Sequence, residues 1–127
     1  MSPNFLSIEH ALAIHAAMIE RYGGSSGVRD LGGLESALAQ AQVSFGGEFL
    51  LRDVFEMAAA YLFHVTQNHP FIDGNKRVGA SSAVVFLGMN GYDLAPSAND
   101  ELEAITMLVA QGKADKPAIA DFLRKNC

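Results

Sequence analysis

The chain has a single cysteine, Cys127, among its 127 residues. No disulfide framework can form within it, which fits a reducing cytoplasm. The segment from Met1 to His10 has no basic stretch and no apolar core, so no secretory signal is expected there. No apolar run is long enough to span a bilayer, and the longest reads as a buried core helix. Basic residues are scarce. Nine lysines and arginines face fourteen acidic residues, for a net charge of −5 and a pI near 5.2. That excludes a broad nucleic-acid or anionic-membrane surface. Internal repeats, low-complexity segments and linkers are missing. So are the H-E-x-x-H and Cys/His spacings of metal sites and the G-x-S-x-G of serine hydrolases. His10, His15 and His64 therefore read as core or surface histidines, and Ser81 and Ser82 as small residues inside a helix.

Half of the residues are hydrophobic and 18% are charged, which describes one folded domain over residues 1–127. Helical signals dominate. Ser7 can cap a helix to about Tyr22, with Ile8, Leu12, Ile19 and Tyr22 near helical spacing. The run Gly23-Gly24-Ser25-Ser26-Gly27 ends it and reads as a flexible turn, because no Lys-Ser/Thr follows to make a P-loop. A short helix is expected from Leu34 to about Gln42. A Gly46-Gly47 pair between hydrophobic ends predicts a small hairpin or flap over Val43–Phe49. Asp53 caps a central helix, apolar over most of its surface, from Val54 to about Asn68. A fourth helix runs to Asn90-Gly91, a fifth opens near Ser97–Asp100, and a last one opens at Asp115-Lys116-Pro117. The fold class is all-α, a bundle of about six helices with one small β-hairpin.

The chemistry concentrates between the third and fourth helices, in His69-Pro70-Phe71-Ile72-Asp73-Gly74-Asn75-Lys76-Arg77. Lys76 and Arg77 are the only lysine or arginine between Arg52 and Lys113. They fall in a helix's first turn, where the macrodipole disfavours cations. A bound anion relieves that conflict, since free N–H groups with Lys and Arg make a phosphate site. Arg77 can clamp a phosphate in bidentate fashion and Lys76 offers a point charge, or only shapes the pocket. His69 is a proton acceptor suited to neutral pH, although alone it would read as an ordinary loop histidine. Asp73 can hold Mg²⁺ beside phosphates or cap the following helix. Gly74 lets a phosphate approach the backbone or is a plain turn residue. Asn75 offers an amide to a phosphate oxygen or caps the helix. Phe71 reads as a core anchor for the loop. Together these residues suggest transfer of a phosphate-containing group from a nucleotide to a hydroxyl.

This stretch resembles the Fic/Doc family motif H-P-F-x-(D/E)-G-N-G-R-x-x-R. Lys76 stands in place of the second glycine and Ala80 in place of the second arginine. Those departures are similar to the Doc branch, the "death on curing" toxins, as are Gly27–Leu38 and Ser44–Glu48. The resemblance implies a toxin of a toxin–antitoxin pair, cytoplasmic, in a bacterium or borne by a phage or plasmid. It implies ATP or another nucleoside triphosphate and Mg²⁺ as cofactors. The γ-phosphate would lie nearest His69 and pass to a threonine of an elongation factor Tu-like protein, stopping translation. In that reading His69 is the general base, Asp73 holds the metal, and Gly74, Asn75, Lys76 and Arg77 bind phosphate. The flap at 43–49 would receive the target segment as an added strand. A Phd-like antitoxin would restrain the toxin, because Ser97-Ala98-Asn99-Asp100-Glu101-Leu102 misses the last position of the inhibitory pattern S/T-x-x-x-E-G/N. The alternatives are a nucleotidyl (AMP) transferase that keeps the usual Fic pose, or a non-catalytic module that binds an antitoxin.

Overall fold

Local chemistry sets most of the helix starts. The Ser7 hydroxyl accepts the His10 N–H at 3.1 Å, and His10 Nδ1 accepts the Ser7 N–H at 3.0 Å. This is a capping box with histidine in the glutamate position. Asp53 accepts the Glu56 N–H at 2.9 Å and Asp115 accepts the Ala118 N–H at 3.0 Å. In the computed structural model, which describes residues 2–127, the helices are α1 (Ile8–Tyr22), α2 (Leu31–Ala39), α3 (Val54–Asn68), α4 (Asn75–Met89), α5 (Asn99–Ala110) and α6 (Lys116–Lys125). A two-stranded antiparallel hairpin, β1 (Ser44–Phe45) and β2 (Glu48–Phe49), joins α2 to α3. The fold is all-α with a small flap, as expected.

Helix α3 is the axle of the bundle. Met57 to Leu62, Val65 and Thr66 are all buried, and α3 packs against α2, α4, α5 and α6. Its closest neighbour is α4. A Cβ on Gly79 would lie 2.5 Å from Thr66 Oγ1 and 3.0 Å from the Leu62 carbonyl oxygen, so this crossing needs glycine. The tight crossing fixes where α3 ends relative to where α4 begins. The loop between those two points carries His69 to Gly74.

Two expectations need correction. Helix α2 begins at Leu31 and not at Leu34, because Asp30 accepts the Gly33 N–H at 2.9 Å and caps a turn containing Gly32 and Gly33. The Gln40–Gln42 end is a 3₁₀ turn. Helix α1 buries Ala11 and His15, whereas Leu12 and Tyr22 are exposed. A histidine is core here because its partners come from the distant 71–73 loop.

In the hairpin, Ser44 pairs with Phe49 and Phe45 with Glu48. Gly46 and Gly47 have φ of 61° and 84°, the left-handed pair that a type I′ turn requires. Phe49 packs edge-on against Phe5, but Phe45 is 82% exposed. No helix among the described residues is long and apolar enough to cross a membrane.

Helices α3 and α6 also meet at His64, whose Nε2 lies 3.0 Å from the Lys116 ammonium. Burial, aided by that charge, depresses the imidazole pKa from 6.5 to about 4. Between these values the unfolded chain binds more protons than the folded one. This contribution to stability is therefore full above pH 6.5 and is lost as pH falls toward 4. His64→Gln, which cannot titrate, is expected to flatten the melting temperature over that window. Thermal unfolding at stepped pH measures it.

Candidate functional site

The site is one loop held from two sides. Helix α3 ends at Asn68, and His69 follows at φ 47°, ψ 54°. It is the only described residue other than glycine with positive φ. His69 is exposed, so its imidazole is open to reactants. From the first side, segment 27–30 runs along the loop. The Arg29 guanidinium donates to the His69 carbonyl at 2.7 Å and to the Asn68 carbonyl at 3.0 Å. The backbone N–H groups of Arg29 and Asp30 both donate to the Pro70 carbonyl, at 2.8 and 3.0 Å. Val28 bridges Phe71, and Ile72 N–H donates to the Gly27 carbonyl at 3.1 Å.

From the other side comes α1. The His15 ring stacks on Phe71 with centroids 4.0 Å apart and 8° between planes. His15 Nε2 lies 3.0 Å from the Asp73 carbonyl oxygen. A carbonyl only accepts, so Nε2 carries the proton. Phe71 is buried, which gives it the anchoring position expected from sequence.

Asp73 and the start of α4 form the polar floor. Gly74, at φ 81°, is the N-cap residue, and no side chain caps the helix. Asp73 is therefore not the N-cap. Its carboxylate precedes it, accepting the Gly74 N–H at 2.9 Å and the Ser25 N–H at 3.2 Å. The first helical bond of α4 runs from the Val78 N–H to the Gly74 carbonyl at 2.9 Å. The N–H groups of Asn75, Lys76 and Arg77 thus lie at the open positive end of the helix.

Asn75 differs from the expectation of a phosphate-facing amide. Its Oδ1 accepts the Phe71 N–H at 2.9 Å, and its Nδ2 donates to the Phe71 carbonyl at 3.0 Å. The side chain braces the loop, and only its backbone N–H faces the helix opening. Lys76 and Arg77 are both exposed. The Arg77 guanidinium lies over the Tyr22 ring, 4.5 Å from its centroid, and neither cation pairs with a carboxylate among the described residues.

The structure thus gathers His69, Asp73, Gly74, Lys76 and Arg77 on one loop and the helix end it feeds. Sequence reading missed the frame: His15, Arg29 and the glycine loop. The Gly23–Gly27 run does more than turn the chain. A Cβ on Gly24 would lie 2.6 Å from Asp73 Oδ2, so only glycine lets this loop reach the carboxylate. No sequence signal links residues 15, 24 and 29 to a motif that begins 40 or more positions away, apart from the unusual density of glycines.

A family model described as the Fic/DOC family matches residues 5–87. The chain belongs to the Fic/Doc family. The match covers α1 through most of α4, so it includes the whole loop and its frame. Among curated relatives, the chain is 37% identical over 120 residues to "Protein kinase doc" of Escherichia phage P1, covering 94% of this chain and 93% of that protein. It is 36% identical over 100 residues to "Toxin Doc" of Mycolicibacterium smegmatis, covering 78% of this chain and 77% of the relative.

Proposed function

We propose that this member of the Fic/Doc family is a toxin that transfers the γ-phosphate of ATP, or another nucleoside triphosphate, to a hydroxyl of a translation factor similar to elongation factor Tu. One observation carries the reading. An exposed histidine and an uncapped helix N-terminus bearing two cations that pair with no carboxylate among the described residues share a single braced loop. The relatives support it, since one is named a protein kinase and another a toxin.

His69 takes the proton of the incoming hydroxyl. The hydroxyl oxygen bonds to the γ-phosphorus while the bond from that phosphorus to the β,γ-bridging oxygen breaks, and the nucleoside diphosphate leaves with the electron pair. Charge on the phosphate oxygens is met by the N–H groups at the start of α4 and by Lys76 and Arg77. Gly74 keeps that approach free of a side chain. Lys76 occupies the place of the family's second glycine, and Ala80 leaves no cation one turn further along. This favours placing the terminal phosphate nearest His69.

The donor set fits Mg²⁺ only as a shared ion. No group of three or more His, Cys, Asp or Glu side chains among the described residues could hold a metal unaided. Asp73 is exposed and its oxygens accept only backbone N–H groups. It would hold Mg²⁺ together with phosphate oxygens, which is how this ion is commonly bound. The ion would supply charge neutralisation on the phosphates. Asp73→Asn is accordingly expected to raise the Mg²⁺ concentration needed for half-maximal transfer, with a small fall in melting temperature because the amide can keep only one of the two bonds to the Gly74 and Ser25 N–H groups. A magnesium titration of initial rate reads this directly.

The exposed hairpin at 43–49 offers backbone for an extended target segment, with Phe45 presented to it. A Phd-like antitoxin is the proposed restraining partner, and the cytoplasm is where the target would be met. The reading is tested by adding the protein to a bacterial cell-free translation reaction and mapping modified residues by mass spectrometry. Arrest accompanied by a phosphorylated threonine on elongation factor Tu is expected. Arrest without a modified translation factor would contradict the proposed target.

A further inference from the structure

We propose that Arg29 is a positioning residue for His69: its guanidinium sets the backbone conformation from which the imidazole works. The inference rests on His69 acting as the base. Three consecutive carbonyls, those of Asn68, His69 and Pro70, would otherwise stand unpartnered where α3 ends. All three are held from residues 29 and 30: the first two by the Arg29 side chain, the third by the backbone N–H groups of Arg29 and Asp30.

The left-handed residue after a helix is usually glycine or asparagine. Here it is histidine, at φ 47°. A non-glycine residue stays in that region only when its surroundings over-determine it. The planar, bidentate guanidinium supplies that constraint, because it binds the carbonyls on either side of the turn at once. With Pro70 fixed behind and Asn68 fixed ahead, only the side-chain torsions of His69 remain free. The other arginines are engaged elsewhere. Arg52 and Arg124 pair with acidic side chains, and Arg21 and Arg77 lie against Tyr22.

The test compares wild type with Arg29→Ala, Arg29→Lys and Arg29→Gln in single-turnover and steady-state phosphoryl transfer. The His69 backbone torsions are followed in the same proteins by NMR chemical shifts. Arg29→Ala is expected to lower kcat by about 10²-fold, the scale of a displaced catalytic group, with KM for ATP changed less than about twofold. Arg29→Lys, which can reach one carbonyl, should fall between, and millimolar guanidinium ion should restore part of the rate to Arg29→Ala. In the NMR arm His69 should leave the positive-φ region in Arg29→Ala.

A raised KM with unchanged kcat would overturn the proposal, because it would place the guanidinium on substrate. So would unmoved His69 shifts with full activity. If Arg29→Ala does not fold, the lysine and glutamine variants decide by the same two readouts. If wild type transfers no phosphate at all, the functional reading fails, and the His69 shifts alone decide whether Arg29 sets that backbone.

Discussion

Replacing His69 by alanine is expected to slow phosphoryl transfer by about 10²–10⁴-fold, the usual contribution of a positioned general base. The protein should still fold and still bind ATP. His69 is exposed, and its side chain makes no hydrogen bond among the described residues. The Arg29 bonds go to the backbone carbonyls of His69 and Asn68 and survive the substitution. Alanine at positive φ is strained by about 1–2 kcal/mol, but histidine already bears a similar strain there. In the proposed reading phosphate is held by the N–H groups at the start of α4 with Lys76 and Arg77, and not by the side chain of residue 69. Calorimetric titration with a non-hydrolysable ATP analogue should therefore give a dissociation constant close to that of wild type. A large loss of nucleotide affinity would instead place the imidazole on phosphate.

The largest effect on stability is expected for Phe71→Ala. Phe71 is 1% exposed and is among the largest fully buried side chains. Truncating such a residue typically costs about 3–5 kcal/mol. More than volume is lost. The His15 ring, 5% exposed, stacks flat on Phe71 and also donates to the Asp73 carbonyl. Without the Phe71 ring the imidazole borders a cavity and its bond to the loop loosens. The Asn75 side chain grips the Phe71 backbone from the other side. Activity should thus fall by more than the unfolded fraction accounts for. Chemical denaturation and transfer rate measured on the same preparation separate the two. A drop in stability with the rate per folded molecule unchanged would show that the loop does not depend on this anchor.

Part of this arrangement could be read from residue order. Ser7, Asp53 and Asp115 each precede an apolar periodic stretch, and each is the N-cap observed. The hairpin followed from a glycine pair that must adopt left-handed torsions. The chemical loop was visible because a base, a carboxylate and two cations are crowded into nine positions. What stayed hidden is long-range. The second helix was expected only from Leu34, yet Asp30 caps a first turn that contains Gly32 and Gly33, and buried Leu34, Ala37 and Leu38 hold the helix in place. His15 looked like an ordinary helical histidine because its partners lie 56 and 58 positions away. Asn75 was expected to face phosphate because its amide suits that task. Satisfying the Phe71 backbone inside the protein takes the same amide. Arg29 carried no local signal, since its role depends on how the α2 approach crosses the end of α3.

The central claim is that the terminal phosphate, not the nucleotide, is what moves. It is tested most directly by incubating the protein with a bacterial lysate and ATP labelled either on the γ-phosphate or on the α-phosphate, with His69→Ala as the parallel control. The account predicts that γ-label appears on a protein of the size of elongation factor Tu, that α-label does not, and that both lanes are blank for His69→Ala. Label from the α-phosphate on the target would contradict it and establish nucleotidyl transfer instead.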